Sequence, residues 1–152
     1  MESWLLRRAV FLLFIALVPF SCAIRYPLVV GRTADIISWS GFFMFTVSLA
    51  FAFYVHSLFP RSHKRPGDFK NLLTDGPYRH VRHPFYAAFI VMGFGIALWC
   101  LSVPGLIAYA LMLPLWEKVA EIEERELLEY WGDLYHEFMR TRGRFFPRRA
   151  SR

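Results

Sequence analysis

The sequence predicts an all-α, polytopic membrane protein with about four transmembrane helices and a cytoplasmic C-terminal amphipathic helix. Of its 152 residues, 56% are hydrophobic and 18% are aromatic, which is more apolar surface than a soluble domain of this size can bury. Charged residues gather at residues 61–82 and after residue 116, and long uncharged runs separate these clusters. This arrangement is typical of membrane spans joined by solvated segments. The length predicts a single domain over residues 1–152.

Composition also bears on partners and metals. The net charge of +6 could indicate nucleic-acid binding, but membrane proteins concentrate Lys and Arg on their cytoplasmic face, so we expect no nucleic-acid partner. Cys22 and Cys100 both lie in apolar runs and lack metal-ligand spacing. We therefore expect no metal site, and we interpret both cysteines as small, unpaired packing residues.

The first apolar run, residues 4–24, carries Arg7 and Arg8 near its start. A basic start before an apolar stretch also fits a secretory signal peptide. We favour a retained span, because Pro19 and Phe20 are unsuited to a cleavage site and three more apolar segments follow.

The second span is predicted at residues 36–59, which contain no charged residue and at ~1.5 Å per residue cross a ~30 Å hydrocarbon core. His56 near its end is assigned no role. The next apolar run, residues 85–116, is too long for one span. Pro104 and Gly105 follow Ser102 within it and predict a turn at residues 102–105.

This division predicts a tight hairpin of spans at residues 85–101 and 106–120. The apolar part of the second is short, so its helix is expected either to continue into the charged residues after Trp116 or to lie in a thinned bilayer. Gly93 and Ala97 have the spacing of small residues that let two helices approach closely.

Orientation follows from the basic residues. With the N-terminus inside, the outer loops hold only Arg25 and Arg32. The opposite orientation would translocate a run of basic residues: Arg61, Lys64, Arg65, Lys70, Arg79 and Arg82. The positive-inside rule therefore predicts that both termini are cytoplasmic, in a bacterial inner membrane or the endoplasmic reticulum.

The segment after Trp116 contains strong helix formers and is predicted to form one amphipathic cytoplasmic helix. Its apolar stripe comprises Leu127, Trp131, Leu134 and Phe138, spaced in steps of three and four residues. A basic tail follows and suits the anionic headgroups of membrane lipids. It comprises Arg140, Arg142, Arg144, Arg148, Arg149 and Arg152.

Two polar segments are candidates for chemistry. Residues 75–86 hold the pairs Arg79-His80 and Arg82-His83, directly before a helix predicted to begin at Pro84. A helix N-terminus favours an anion, so these pairs could bind a carboxylate or phosphate. They could equally be a positive-inside membrane anchor with aromatic neighbours.

The second segment contains Glu123 and Glu124. Adjacent helical residues point in different directions, so we expect at most one of them to face a site easily. If the basic and acidic segments face one another, a zwitterionic or mixed-charge cofactor fits better than a simple anion.

Together these residues resemble a known family. Residues 76–86 read Gly-Pro-Tyr-Arg-His-Val-Arg-His-Pro-Phe-Tyr (the first motif), and residues 123–127 read Glu-Glu-Arg-Glu-Leu (the second motif). The two motifs flank the hairpin, and Gly132, Tyr135, Arg144 and Pro147 continue the pattern. Over about residues 70–147 the chain resembles the membrane methyltransferases related to isoprenylcysteine carboxyl methyltransferase and the phospholipid N-methyltransferases.

The resemblance implies S-adenosyl-L-methionine as the cofactor and a lipophilic or lipid acceptor. It implies cofactor contacts from His83 and Tyr86, with charge from Arg82 and further contacts from Glu124 and Tyr135. Glu123 and Glu124 become the candidate catalytic residues, as bases for an acceptor that must lose a proton.

The acceptor chemistry most in keeping with this resemblance is O-methylation like that of isoprenylcysteine carboxyl methyltransferase. Those enzymes carry an arginine one helical turn before the glutamate pair, where this chain has Val119 beside Lys118. Phospholipid N-methylation is therefore the main alternative. A relative of the membrane sterol reductases and a non-enzymatic scaffold that binds anionic headgroups are the more distant ones.

Overall fold

The computed structural model describes residues 2–58 and 72–148. Over these residues the chain forms six α-helices and no strand, which confirms the all-α prediction. The helices are α1 (Glu2–Ala23), α2 (Arg32–Leu58), α3 (Pro84–Trp99), α4 (Val103–Leu111), α5 (Leu113–Trp131) and α6 (Asp133–Thr141). A 3₁₀ helix, Gly76–Arg79, precedes α3.

Three helical stretches are long and apolar enough to cross a membrane: Trp4–Ala23, Arg32–Leu58 and Val103–Trp131. The 16-residue α3 is a shorter apolar helix beside them. The third stretch joins α4 and α5, which separate only at Met112. The fourth predicted span therefore continues into charged residues, one of the two arrangements expected for it. The basic residues from Arg61 to Lys70, Phe59, Arg149 and Arg152 lie outside the described residues.

Glycines bring α2 and α3 into close contact. A Cβ atom on Gly41 would lie 2.3 Å from the backbone nitrogen of Trp99, and one on Gly95 would lie 2.7 Å from that of Phe45. Gly93 leaves room for the Tyr109 ring of α4, since a Cβ atom added to Gly93 would lie 2.5 Å from that ring. Gly93 therefore faces a tyrosine ring, whereas the close approach of two helix backbones is found at the α2–α3 crossing.

The hairpin turn lies two residues earlier than predicted. It occupies residues 100–102, where Leu101 adopts a left-handed conformation with φ of 51°. Ser102 caps α4, because its side-chain oxygen accepts a hydrogen bond from the Gly105 backbone nitrogen at 3.1 Å. The prediction of a turn at residues 102–105 was wrong because proline is tolerated in the first turn of a helix, where its missing N–H costs nothing.

The two cysteines form a disulfide, contrary to the prediction that they are unpaired. Cys22 and Cys100 are joined, with their Cα atoms 5.1 Å apart. Cys22 lies in the last turn of α1 and Cys100 directly follows α3. The bond therefore ties the end of α1 to the end of α3. The neighbouring Ser102 hydroxyl donates to the carbonyl of Ile24 at 2.6 Å.

The C-terminal helix is broken, where one continuous amphipathic helix was predicted. Gly132 has φ of 54° and ψ of −128°, a conformation that glycine adopts at little cost. The chain therefore turns between α5 and α6. Phe138 packs inside with only 5% of its surface exposed, whereas Leu134 is 57% exposed. Leu134 and Phe138 therefore do not form one buried stripe, because the buried face of α6 carries Tyr135 and Phe138.

Aromatic side chains fill the core among α1, α3 and α5. The Phe11 ring of α1 lies 5.1 Å from Phe89 and 5.2 Å from Trp116. Tyr86 of α3 lies 5.4 Å from Trp116. The start of α1, the start of α3 and the charged half of α5 thus meet at one end of the bundle, opposite the disulfide.

Candidate active site

The first motif is held by the C-terminal segment that crosses over it. The backbone nitrogens of Arg82 and His83 donate to the carbonyls of Gly143 and Arg144, each at 2.9 Å. A Cβ on Gly143 would lie 1.9 Å from the carbonyl oxygen of Phe146, so the segment needs glycine there. These bonds fix the backbone directly before α3 and cover it with residues 143–146.

His83 lies between the two glutamates of the second motif and is 6% exposed. Its Nε2 atom is 3.1 Å from Oε1 of Glu124, and its Nδ1 atom is 3.7 Å from Oε2 of Glu123. The expectation that only one glutamate faces the site was wrong, because the imidazole is placed where carboxylates on both sides reach it. The His83 ring also stacks on Tyr86, 5.4 Å away and tilted by 8°.

Glu124 is the most buried charged group of the cluster, with 2% exposure. It accepts hydrogen bonds from Nε and Nη2 of Arg144 at 3.2 and 2.8 Å. Nε of Arg82 lies 3.1 Å from it, although that N–H is not directed at the oxygen and makes no hydrogen bond. Such contacts stabilise the ionised carboxylate and compensate for its removal from water. Glu124 is therefore arranged as an anchor for cations.

Glu123 is the more open glutamate, with 31% of its side chain exposed. It accepts a hydrogen bond from the Tyr86 hydroxyl at 2.8 Å. The pKa of the Tyr78 hydroxyl, in the 3₁₀ helix, is raised to about 12, mainly by burial and in addition by the negative charge of nearby Glu123. Glu123 thus presents a carboxylate at the rim of the cluster, held by a tyrosine.

Tyr135 reaches the same cluster from α6 and is 1% exposed. Burial is the main cause that raises the pKa of its hydroxyl, and the negative charge of Glu124 raises it further. The structure therefore brings together the six residues that the family resemblance assigns to the site: Arg82, His83, Tyr86, Glu123, Glu124 and Tyr135.

Sequence reasoning missed one member and included two residues that lie elsewhere. Arg144 joins Glu124 to Glu117, to which its Nη1 donates at 2.6 Å; its place in the family pattern before Pro147 could have identified it. Arg79 and His80 are exposed on the surface. Only the second Arg-His pair of the first motif therefore enters the cluster.

The position that carries an arginine in the isoprenylcysteine enzymes contributes no charge to the cluster. Val119 is packed in the core with 1% exposure. Lys118 next to it is exposed, and its Nζ pairs with Oε2 of Glu121 at 3.1 Å on the helix surface. Any cation for an acceptor must therefore come from another element.

Among the described residues, no group of three or more His, Cys, Asp or Glu side chains is arranged to hold a metal ion. Instead, the guanidinium groups of Arg82 and Arg144 both face Glu124, and the Glu123 carboxylate is held by the Tyr86 hydroxyl. This arrangement suits an organic ligand that carries both signs of charge.

A model of a protein family described as phospholipid methyltransferase matches residues 36–133, which is more than half of the chain. No curated protein sequence matches the chain. The matched range begins in the second turn of α2, ends at the first residue of α6 and includes both motifs. It excludes α1, Tyr135 and Arg144.

Proposed function

Because the chain belongs to the phospholipid methyltransferase family, a family of membrane methyltransferases, we propose that it transfers a methyl group from S-adenosylmethionine to a lipophilic acceptor. The observation that carries this proposal is the buried cluster in which His83 and Glu124, one from each motif, meet at 3.1 Å. The cluster lies at the end of a helix bundle apolar enough to cross a membrane.

The chemistry of the residues fits this cofactor. Its amino-acid end carries a carboxylate and an amine, and its sulfur is positively charged. Arg82 and Arg144 offer guanidinium groups that suit the carboxylate, and the buried Nε of Arg82 has no hydrogen-bond partner among the described residues. Glu123 and Glu124 suit the amine, and the nearby aromatic rings suit a cation.

When bound, the cofactor supplies a methyl group that is already activated by the positive sulfur. The residues of the chain need chiefly to align the partners and exclude water, and alignment of this kind can contribute ~7–11 kcal/mol. Tyr86 orients Glu123 through its 2.8 Å hydrogen bond. Phe11 and Trp116, packed against the Tyr86 ring, keep the inner side of the site apolar.

The two glutamates are assigned different roles. Glu124 holds Arg82, His83 and Arg144 in place, and the two guanidinium groups beside it make it a poor proton acceptor. Glu123 is free of guanidinium contacts among the described residues, and it is the candidate base for an amine, hydroxyl or thiol acceptor. A carboxylate acceptor needs no base.

Two acceptor classes follow. The first is an isoprenylcysteine-like carboxylate, methylated on oxygen, as the motifs imply. The second is the amine of a phospholipid; the family match and the availability of Glu123 as a base favour this class. In both, the apolar chain would enter sideways from the bilayer, while the cofactor enters from the aqueous side.

We also propose that both termini face the cytoplasm. The charged cluster, the start of α1 and the C-terminal segment share one end of the bundle, whereas the Cys22–Cys100 disulfide lies at the other. A disulfide suits an oxidising compartment, which is the outer side. Thiol labelling of single cysteines introduced at Thr33 and at Asp133 in intact cells tests this orientation: only the former should react with an impermeant reagent.

The acceptor is tested with purified protein in vesicles and S-adenosylmethionine labelled in its methyl group. Label in phosphatidylethanolamine derivatives supports N-methylation, and base-labile label on a farnesylcysteine acceptor supports carboxyl O-methylation. His83→Ala should abolish transfer, whereas the exposed His80→Ala should not. Equal transfer by the wild type and His83→Ala would contradict the proposal.

A further inference from the structure

Arg7 of α1 lies at the edge of the proposed active site, although it falls outside the residues that match the family. Its Nη2 donates to Oε2 of Glu126 at 2.6 Å. Glu126 lies one helical turn after Glu123 on α5, so these carboxylates share a face of that helix. Electrostatic interactions link Arg7 with both Glu123 and Tyr86. The first helix thus contributes a cation beside the more open glutamate.

Below Arg7, α1 forms part of an apolar wall. Phe11, one turn further along the helix, lies 6.2 Å from the Tyr86 ring and 5.2 Å from Trp116. The guanidinium of Arg7 therefore sits where the aromatic layer meets the charged cluster. An amphiphile with its hydrocarbon chain along this layer would bring its headgroup to Arg7.

The hydrogen-bonding capacity of Arg7 is only partly used. A guanidinium has five N–H donors, and Glu126 is the one hydrogen-bond acceptor found for it in the described part of the chain. Nε of Arg7 is buried without a hydrogen-bond partner there, which is costly unless a ligand compensates. Glu126 keeps 38% of its side chain exposed, so it can turn towards solvent when another anion arrives.

The neighbouring Arg8 lies on the same helix but has a different environment from Arg7. It is exposed, and its guanidinium lies 3.8 Å from the centre of the Trp4 ring. This is the usual arrangement of a basic residue at a membrane interface. Arg7 points into the bundle instead, towards the site.

We propose that Arg7 binds the anionic group, a carboxylate or a phosphate, of the lipophilic acceptor and so positions the acceptor beside Glu123. It supplies from α1 the positive charge that Val119 does not provide on α5. That the bound amphiphile is a methyl acceptor rests on the function proposed above. The anion site itself does not.

The test measures binding rather than turnover. Laurate, dodecyl phosphate and uncharged dodecanol are titrated calorimetrically into the full-length protein in an uncharged detergent. We expect Arg7→Gln to weaken binding of both anions by about tenfold or more and to leave dodecanol unchanged. Arg8→Gln, the matched control, should bind all three like the wild type. The ratio of laurate to phosphate affinity then distinguishes a carboxylate acceptor from a phospholipid.

Two further variants separate ligand binding from a structural ion pair. Glu126→Gln should bind the anions as well as the wild type or better, because it removes the competing carboxylate. A purely structural pair instead predicts equal loss in Arg7→Gln and Glu126→Gln. If Arg7→Gln fails to fold, Arg7→Lys replaces it; partial retention of anion binding is then expected, because lysine keeps the charge but lacks the fork of donors. Full wild-type affinity in that variant would contradict the proposal.

Binding of S-adenosylhomocysteine is measured on the same samples. Unchanged affinity in Arg7→Gln, with weakened anion binding, supports the inference. If no form binds S-adenosylhomocysteine but anion binding depends on Arg7, the proposed function fails and the anion site stands. If S-adenosylhomocysteine binds and the anions bind equally well to both arginine variants, or not at all, the inference about Arg7 is wrong.

Discussion

His83 Nε2 lies 3.1 Å from Glu124 Oε1, although 41 positions separate the two residues in the chain. The contact joins the start of α3 to the charged half of α5. Around it, Arg82 and Arg144 bring two guanidinium groups to the same carboxylate. One buried acid therefore holds three basic side chains from two distant segments.

Glu124→Gln should destabilise the protein. Removing the charge leaves Arg82 and Arg144 without their shared partner, and breaking such a buried pair typically costs about 3–5 kcal/mol. Thermal unfolding of the purified protein measures the effect. Glu121→Gln on the exposed face of the same helix is the control and should leave the midpoint unchanged. Equal midpoints for the two variants would show that Glu124 does not anchor the cluster.

Arg144→Ala should loosen the C-terminal segment over the first motif. Arg144 ties this segment to Glu124 and Glu117, and the segment accepts the backbone hydrogen bonds of Arg82 and His83. Hydrogen exchange at these two amides should therefore become faster. Arg148→Ala, an exposed arginine whose Nη1 donates to the Arg140 carbonyl, should leave the two amides protected. Unchanged protection in Arg144→Ala would argue against its role as a tie.

Glu123→Gln should distinguish between acceptors. For an amine or hydroxyl acceptor, loss of a general base should lower kcat about 10²–10⁴-fold. For an acceptor that is already an ionised carboxylate, kcat should stay within a few fold of the wild type. Steady-state methyl transfer to both acceptor types measures this difference. Equal loss with both would show that Glu123 does not act as a base.

Gly95→Val should prevent α2 and α3 from packing. Even the first carbon of a side chain at this position would lie 2.7 Å from the Phe45 backbone nitrogen, and backbone cannot move aside as a side chain can. The yield of monodisperse protein in detergent and its unfolding midpoint should both fall. Ala50→Val, an exposed position on α2, should change neither. A normal midpoint for Gly95→Val would contradict the close crossing.

Hydropathy and the two motifs allowed much of this arrangement to be predicted. The apolar runs set the helices because a span needs a minimum length of uncharged residues. Five residues of the two motifs lie together in the structure, and Tyr135 lies beside them; the roles assigned to them stay predictions. Arg7 could not be predicted to join them, since its partner Glu126 lies 119 positions away and nothing local to Arg7 distinguishes it from Arg8.

The features that were missed depend on contacts between distant segments or on a single backbone angle. Hydrophobic periodicity predicted one apolar stripe that continues past Gly132. The break was missed because a pattern of side chains contains no information about a positive φ. The Cys22–Cys100 pairing depends on where α1 and α3 end in space. That both glutamates reach His83 follows from the position of the imidazole between them, which the direction of side chains on an isolated helix does not indicate.

A cofactor site at His83 and Glu124 is tested by calorimetric binding of S-adenosylhomocysteine to the detergent-purified wild type, His83→Ala and His80→Ala. We expect saturable binding that is preserved in His80→Ala and weakened about tenfold or more in His83→Ala, because His83→Ala removes a buried hydrogen-bonding group from a charged site. Folded protein that does not bind, or that binds equally well in both variants, would contradict a cofactor site built around His83 and Glu124.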